Sequence, residues 1–102
     1  GVRMAVLESA MCPKFHSDRV PCRLICTYAG AGTEWHPNEQ VQRFENGSLE
    51  ALPNAKPRTL DVGDVALLKG ESWEGNAGRG LVHRSPSATQ SARRVLLTLD
   101  FA

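Results

Sequence analysis

The chain has no apolar run approaching the roughly 20 residues that a membrane-spanning helix requires, and its N-terminal stretch, broken by Arg3 and Glu8, lacks the charged-then-apolar order of a secretion signal. A soluble, cytoplasmic protein is expected. Charge of one sign is also missing: 12 basic residues stand against 11 acidic ones, a formal net charge of +1, and the basic residues are scattered. A surface that tracks phosphates needs a clustered positive field, so nucleic acid is not an expected partner. Paired cysteines are absent too. Cys12, Cys22 and Cys26 are odd in number and form no CxxC, which argues against a disulfide framework or a zinc ribbon and leaves them as small buried apolar residues. No Ser/His/Asp order, P-loop or dinucleotide fingerprint is present, because the glycines of 75–80 have neither the spacing nor the strand-to-helix setting. At 102 residues and 41% hydrophobic content, there is no room for a second domain. Residues 1–102 are expected to form one domain with one modest core.

What the chain does have is strand punctuation. Nearly every apolar run is short, rich in Val, Leu, Ile or aromatics, and bounded by Gly, Pro, Asn or Asp. Strands are predicted at 2–7, 11–18, 22–28, 41–45, 58–62, 65–69, 80–84 and 94–101, with breaks at Pro21, Gly30-Ala31-Gly32, Asn46-Gly47, Pro53-Asn54, Gly63-Asp64, Gly75-Asn76 and Pro86. The last strand alternates: Val95, Leu97, Leu99 and Phe101 form a face expected to pack on the core, while Arg94, Leu96, Thr98 and Asp100 look toward something more polar. Continuously apolar Val65-Ala66-Leu67-Leu68 suits a strand buried on both faces. Only 37–43 and 86–92 have helical character, and both are short.

The residues that carry chemistry are few. His16-Ser17-Asp18 ends a predicted strand, where residues at i and i+2 project from one face, so an imidazole and a carboxylate can grip one ion without backbone strain. By itself this spacing is also that of an ordinary surface pair. Context raises it. Gly63-Asp64 hands one strand to the next, His83-Arg84-Ser85 follows a Gly-rich connection, and Arg94 comes eleven positions after His83. If His83 returns to the same end of the barrel, His16, Asp18 and His83 supply three faces of one coordination sphere and leave the others open, as non-haem Fe(II) requires for oxygen chemistry. The expected ligand distances are about 2.0–2.2 Å. Arg94 could then take an organic acid's carboxylate in a two-pronged grip, with Arg93 its rival by one residue of register and Thr98 adding a hydrogen bond.

This order of His-x-Asp, Gly-Asp, His-x-Ser and Arg resembles the phytanoyl-CoA-dioxygenase-like branch of the Fe(II)/2-oxoglutarate oxygenases. The resemblance implies an all-β double-stranded β-helix, a cupin-like jelly roll of about eight strands. It further implies Fe(II) on His16, Asp18 and His83, and 2-oxoglutarate held by Arg94, Arg93, Thr98 and Ser85. More closely, Cys12-Pro13-Lys14-Phe15-His16, Cys26-Thr27-Tyr28, Gly32-Thr33-Glu34-Trp35, Leu67-Leu68-Lys69-Gly70-Glu71 and Val82-His83-Arg84-Ser85-Pro86 resemble an uncharacterised bacterial domain-of-unknown-function family. The segment before His16 is shorter than such oxygenases have, so the helices that brace their barrel are missing.

Around the expected opening, Glu34, Trp35, His36, Lys69 and Arg84 are substrate candidates, with Glu71 and Asn76 on nearby loops. His36 is read as a fourth ligand, a substrate contact or a solvated loop residue, and Trp35 and Trp73 as rim residues or core packing. Three functions remain open: a 2-oxoglutarate-dependent dioxygenase acting on a small molecule; a cupin-like module holding Zn(II), Ni(II), Mn(II) or a small molecule without oxygenase activity; and a structural β-sandwich in which the two histidines never meet. The expected partners are a small-molecule substrate and a second copy of the chain, with neither nucleic acid nor membrane.

Overall fold

A computed structural model describes residues 2–7, 14–86 and 93–101. Among the described residues the fold is all-β. Its strands are β1 (Val2–Leu7), β2 (Cys22–Ala29), β3 (Glu34–His36), β4 (Val41–Arg43), β5 (Leu49–Ala51), β6 (Arg58–Thr59), β7 (Val65–Lys69), β8 (Val82–Arg84) and β9 (Arg94–Phe101). One sheet has the order β1-β9-β2-β7, a second β6-β3-β8, and β4 and β5 form a hairpin; all the pairings are antiparallel. No described helix is long and apolar enough to cross a membrane.

The register shows which face of the larger sheet is interior. Arg23 lies opposite Leu68 and Asp100, Ile25 opposite Ala66 and Thr98, and Thr27 opposite Leu96. Ile25, Leu68 and Leu96 form the buried core, with Leu60, Ala66 and Leu81 packed against it. The face of β9 that turns to the core is therefore Arg94, Leu96, Thr98 and Asp100, contrary to the expectation that Val95, Leu97, Leu99 and Phe101 would. Counting apolar residues misassigns the faces because the inward face is partly polar: Arg23 and Asp100 pair at its half-exposed end, and Arg94 is buried. For the same reason β7 is not covered on both faces. It is an edge strand, with Leu68 2% exposed but Val65 68% and Leu67 51% exposed.

Smaller differences have local causes. The helical character of 37–43 reduces to a 3-10 turn at Asn38–Gln40, after which Val41 adopts extended backbone and starts β4. The expected strand at 58–62 narrows to Arg58–Thr59, and that at 80–84 to Val82–Arg84. Strands β3 and β5 fell where loops were expected. The 86–92 segment lies outside the described residues beyond Pro86, as do Cys12 and residues 11–13 of the expected 11–18 strand, whose described part, 14–18, forms no strand and holds one isolated bridge, at His16. Gly30 illustrates how turn chemistry fixes the fold: its φ is +86°, and a Cβ there would strike the Arg93 carbonyl. Cys22 and Cys26 are free and buried.

Candidate metal centre

His16 is attached to the smaller sheet by one bridge. Its N–H donates to the His83 carbonyl at 3.0 Å and the His83 N–H donates back at 2.9 Å, so the two residues sit directly opposite one another. Directly opposed side chains share a face, and the rings lie 4.6 Å apart between centroids. Asp18, two residues on, joins that face. Its backbone is anchored by the Glu71 N–H, which donates to the Asp18 carbonyl at 2.8 Å. Gly70 permits this approach, because a Cβ there would strike the carbonyl of Val20 and come within 2.8 Å of that of Asp18.

The convergence is close. One ligand atom each from His16, Asp18 and His83 lies within 4.8 Å of the others. His83 Nε2 is 3.4 Å from Asp18 Oδ2, and His16 Nε2 is 3.7 Å from Asp18 Oδ1. Ligands about 2.1 Å from a shared ion stand about 3.0–3.4 Å apart, so a shift of side chains by about an ångström completes the geometry. The tautomers suit it. His16 Nδ1 is 2.8 Å from the Lys14 carbonyl and His83 Nδ1 is 2.9 Å from the Leu81 carbonyl. Each Nδ1–H is the donor, which leaves the Nε2 lone pairs facing the carboxylate, the arrangement that orients metal-binding histidines. Burial holds His83 below its ordinary pKa, against the pull of Asp18 and the Leu81 carbonyl, so the ring is a neutral ligand at pH 7. Asp18 is 9% exposed and its Oδ2 has no hydrogen-bond partner. A buried carboxylate oxygen without a partner carries a desolvation cost that a cation would relieve. The donor set therefore fits a divalent ion, and the reading in which the two histidines never meet is excluded.

A cavity of about 280 Å³ opens beside this centre, lined by Thr33, Trp35, Leu60, Ala66, Leu67, Leu68, Leu81 and His83. Trp35 is the register partner of His83 on β3 and shares its face, with the Arg58 guanidinium 5.2 Å from its ring centroid. Arg94, 4% exposed, donates from Nε to the Ala31 carbonyl at 2.7 Å and from Nη2 to Thr33 Oγ1 at 3.4 Å. Its Nη1 is buried with no hydrogen-bond partner among the described residues. Burial lowers its pKa, but a guanidinium stays charged. Thr33 thus links a buried cation to the cavity that His83 also lines. Arg93 is exposed, and Thr98 faces the interior opposite Ile25.

Other expected site residues are placed elsewhere. His36 is not a solvated loop residue: it is 1% exposed, lies on β3 opposite Val82 and on the face away from His83, and packs 4.6 Å from the Phe15 ring. It does not belong to the His16, Asp18 and His83 group. Glu34 accepts from Arg84 Nε at 2.7 Å, and the Arg84 guanidinium lies 4.1 Å from the Phe15 centroid. Lys69 stands over the Trp73 ring at 4.9 Å. Asn76 donates to the Gly70 carbonyl, and Glu71 accepts from the N–H groups of Gly78 and Gly80, so both organise the 70–80 loop. Ser85 follows β8, half-buried.

One pair was missed by sequence reasoning. Arg23 donates to both oxygens of Asp100, at 2.5 and 3.0 Å, and from Nη1 to Asp18 Oδ1 at 3.3 Å. This hydrogen bonding holds the Asp100 carboxyl below its ordinary pKa. Seventy-seven positions separate the two residues, so no spacing links them; the only signal was an arginine and an aspartate each breaking an apolar strand. Neither curated proteins nor solved structures yield a match to the chain. The family model described as protein of unknown function, DUF1826, matches residues 1–100, and the chain belongs to that family.

Proposed function

We propose that this chain is a double-stranded β-helix oxygenase whose His16, Asp18 and His83 hold non-haem Fe(II), with 2-oxoglutarate as co-substrate. The observation that carries the reading is the trio itself: two histidines with Nδ1 committed to backbone carbonyls, flanking a buried carboxylate oxygen with no partner. When bound, Fe(II) with three open positions supplies oxygen activation coupled to oxidative decarboxylation of the keto acid. The chain's own groups bind and orient. His83 and His16 present their Nε2 atoms, and Asp18 contributes the carboxylate. Arg94 receives the far carboxylate through its unpartnered Nη1, with Thr33 steadying the guanidinium. Leu60, Leu68, Leu81 and Trp35 give the cavity an apolar lining, and a small-molecule substrate reaches the centre beside them. The protein is read as one cytoplasmic domain.

A second reading is a cupin-like metal-binding module without oxygenase activity. It is favoured by the cavity lining, in which His83 is the one ionisable residue and which suits an uncharged ligand. Anaerobic titration separates the two. Fe(II) followed by 2-oxoglutarate gives a metal-to-ligand absorption band, and succinate forms in air, if the oxygenase reading holds. Metal binding with neither band nor succinate leaves the module.

A further inference from the structure

The two oxygens of Asp18 are in different circumstances. Oδ2 faces His83 Nε2 at 3.4 Å with no hydrogen bond among the described residues, whereas Oδ1, 3.7 Å from His16 Nε2, accepts from Arg23 Nη1 at 3.3 Å. Arg23 is itself aimed by its register partner on β9: Nε and Nη2 grip the two oxygens of Asp100 as a fork. A fork of this kind fixes a guanidinium in plane and direction, which a single contact does not. The orientation of the Asp18 carboxylate is therefore set from β9, through β2, by a chain of three charged side chains. We propose that Arg23, held by Asp100, is the positioning residue of the metal centre, engaging Asp18 Oδ1 so that Asp18 binds the ion through Oδ2 alone and leaves the remaining positions open.

The inference rests on the metal reading of His16, Asp18 and His83 and adds a role for residues outside it. Charge and geometry make opposite demands here. A cation beside a metal site repels the ion, so if Arg23 acted only through its field, its removal would tighten binding. If it acts by positioning, its loss frees Asp18 to rotate, and binding weakens. A hydrogen bond that orients a metal ligand from outside the coordination sphere is typically worth about ten- to a hundredfold in affinity.

The test is Co(II) titration of the full chain, followed by visible absorption, in wild type, His83→Ala, Arg23→Lys and the double variant Arg23→Met/Asp100→Asn. The double variant keeps the net charge of the chain but leaves Asp18 Oδ1 without its Arg23 hydrogen bond, so circular dichroism and melting of the metal-free variants check the fold. Arg23→Lys keeps the charge but cannot engage both carboxylates. The expected result is one Co(II) in wild type, none in His83→Ala, and in both Arg23 variants an affinity about ten- to a hundredfold lower with a changed Co(II) band, as Asp18 turns from one-oxygen to two-oxygen ligation. Wild-type affinity and spectrum in both Arg23 variants overturn the proposal while leaving the metal reading intact. A wild-type result in Arg23→Lys alone overturns it, because an ammonium that cannot hold both carboxylates then serves as well as the forked guanidinium, and tighter binding in the double variant overturns it in favour of charge. Absence of Co(II) binding in wild type overturns the metal reading and this proposal together.

Discussion

Arg94 sets one buried cation behind Thr33, which lines the cavity. A guanidinium 4% exposed with an unpartnered Nη1 costs the free protein stability that a bound anion would restore. Arg94→Ala should therefore weaken 2-oxoglutarate binding to the metal-loaded protein by about 2–4 kcal/mol, measured by anaerobic titration, while Co(II) affinity stays unchanged. Arg93→Ala, at an exposed position, should alter the same binding by less than about 0.5 kcal/mol. Equal effects of the two substitutions would show that the register does not distinguish them. Gly70 acts through what it lacks. Gly70→Ala drives a methyl into the backbone that carries Asp18 and should destabilise the fold by about 1–3 kcal/mol in urea unfolding.

Within elements, the alternation of β7 makes neighbouring leucines unequal. Leu68 belongs to the core and Leu67 is 51% exposed. Leu68→Ala should cost about 2–5 kcal/mol, and Leu67→Ala less than about 1 kcal/mol, by urea unfolding of each; similar losses would place β7 between two covered faces after all. The loop after β7 depends on Glu71. Burial, the largest single influence, pushes its carboxyl up. The N–H groups of Gly78 and Gly80, the Ser17 hydroxyl and the Arg43 guanidinium together bring it below its ordinary value. Because the folded value is depressed, the unfolded chain binds more protons in that interval, and the carboxylate's contribution is fully present above about pH 4.5 and lost as pH falls through the lowered value. Glu71→Gln should cost about 1–2 kcal/mol at pH 7, and the gap from wild type should close as the pH falls below 4.5.

For the whole molecule, the candidate metal centre joins two stretches far apart in sequence, 16–18 and β8, that meet through the His16–His83 bridge. His16 and Asp18 belong to a segment tied to β8 by one bridge, and His83 to β8 itself. An ion that binds all three stabilises the native state and not the unfolded one. At a free concentration 100-fold above Kd the gain is about 2.7 kcal/mol, a rise in Tm of more than about 10 °C for a domain of this size. Thermal melts with and without Co(II) or Zn(II) should show the rise, chelator should reverse it, and His83→Ala should not show it.

The strand-forming segments and their turns were legible because they rest on local rules. Pleated, β-branched runs need extended backbone, and Gly47, Gly63 and Gly75 stand at positive φ where breaks were read. His16 and Asp18 were legible as a same-face pair for the same local reason, since i and i+2 on extended backbone point together. What lies inside was not. The inward face of β9 holds Arg94 and Asp100 as well as Leu96, so apolar count pointed to the wrong face; Arg94 is buried against partners near β3, and the half-exposed Asp100 pairs with Arg23 across β2. The same holds for Arg23. Alternation says on which side of a strand a residue stands, but which carboxylates meet its guanidinium depends on antiparallel register between strands far apart in sequence, and register is a property of the folded sheet.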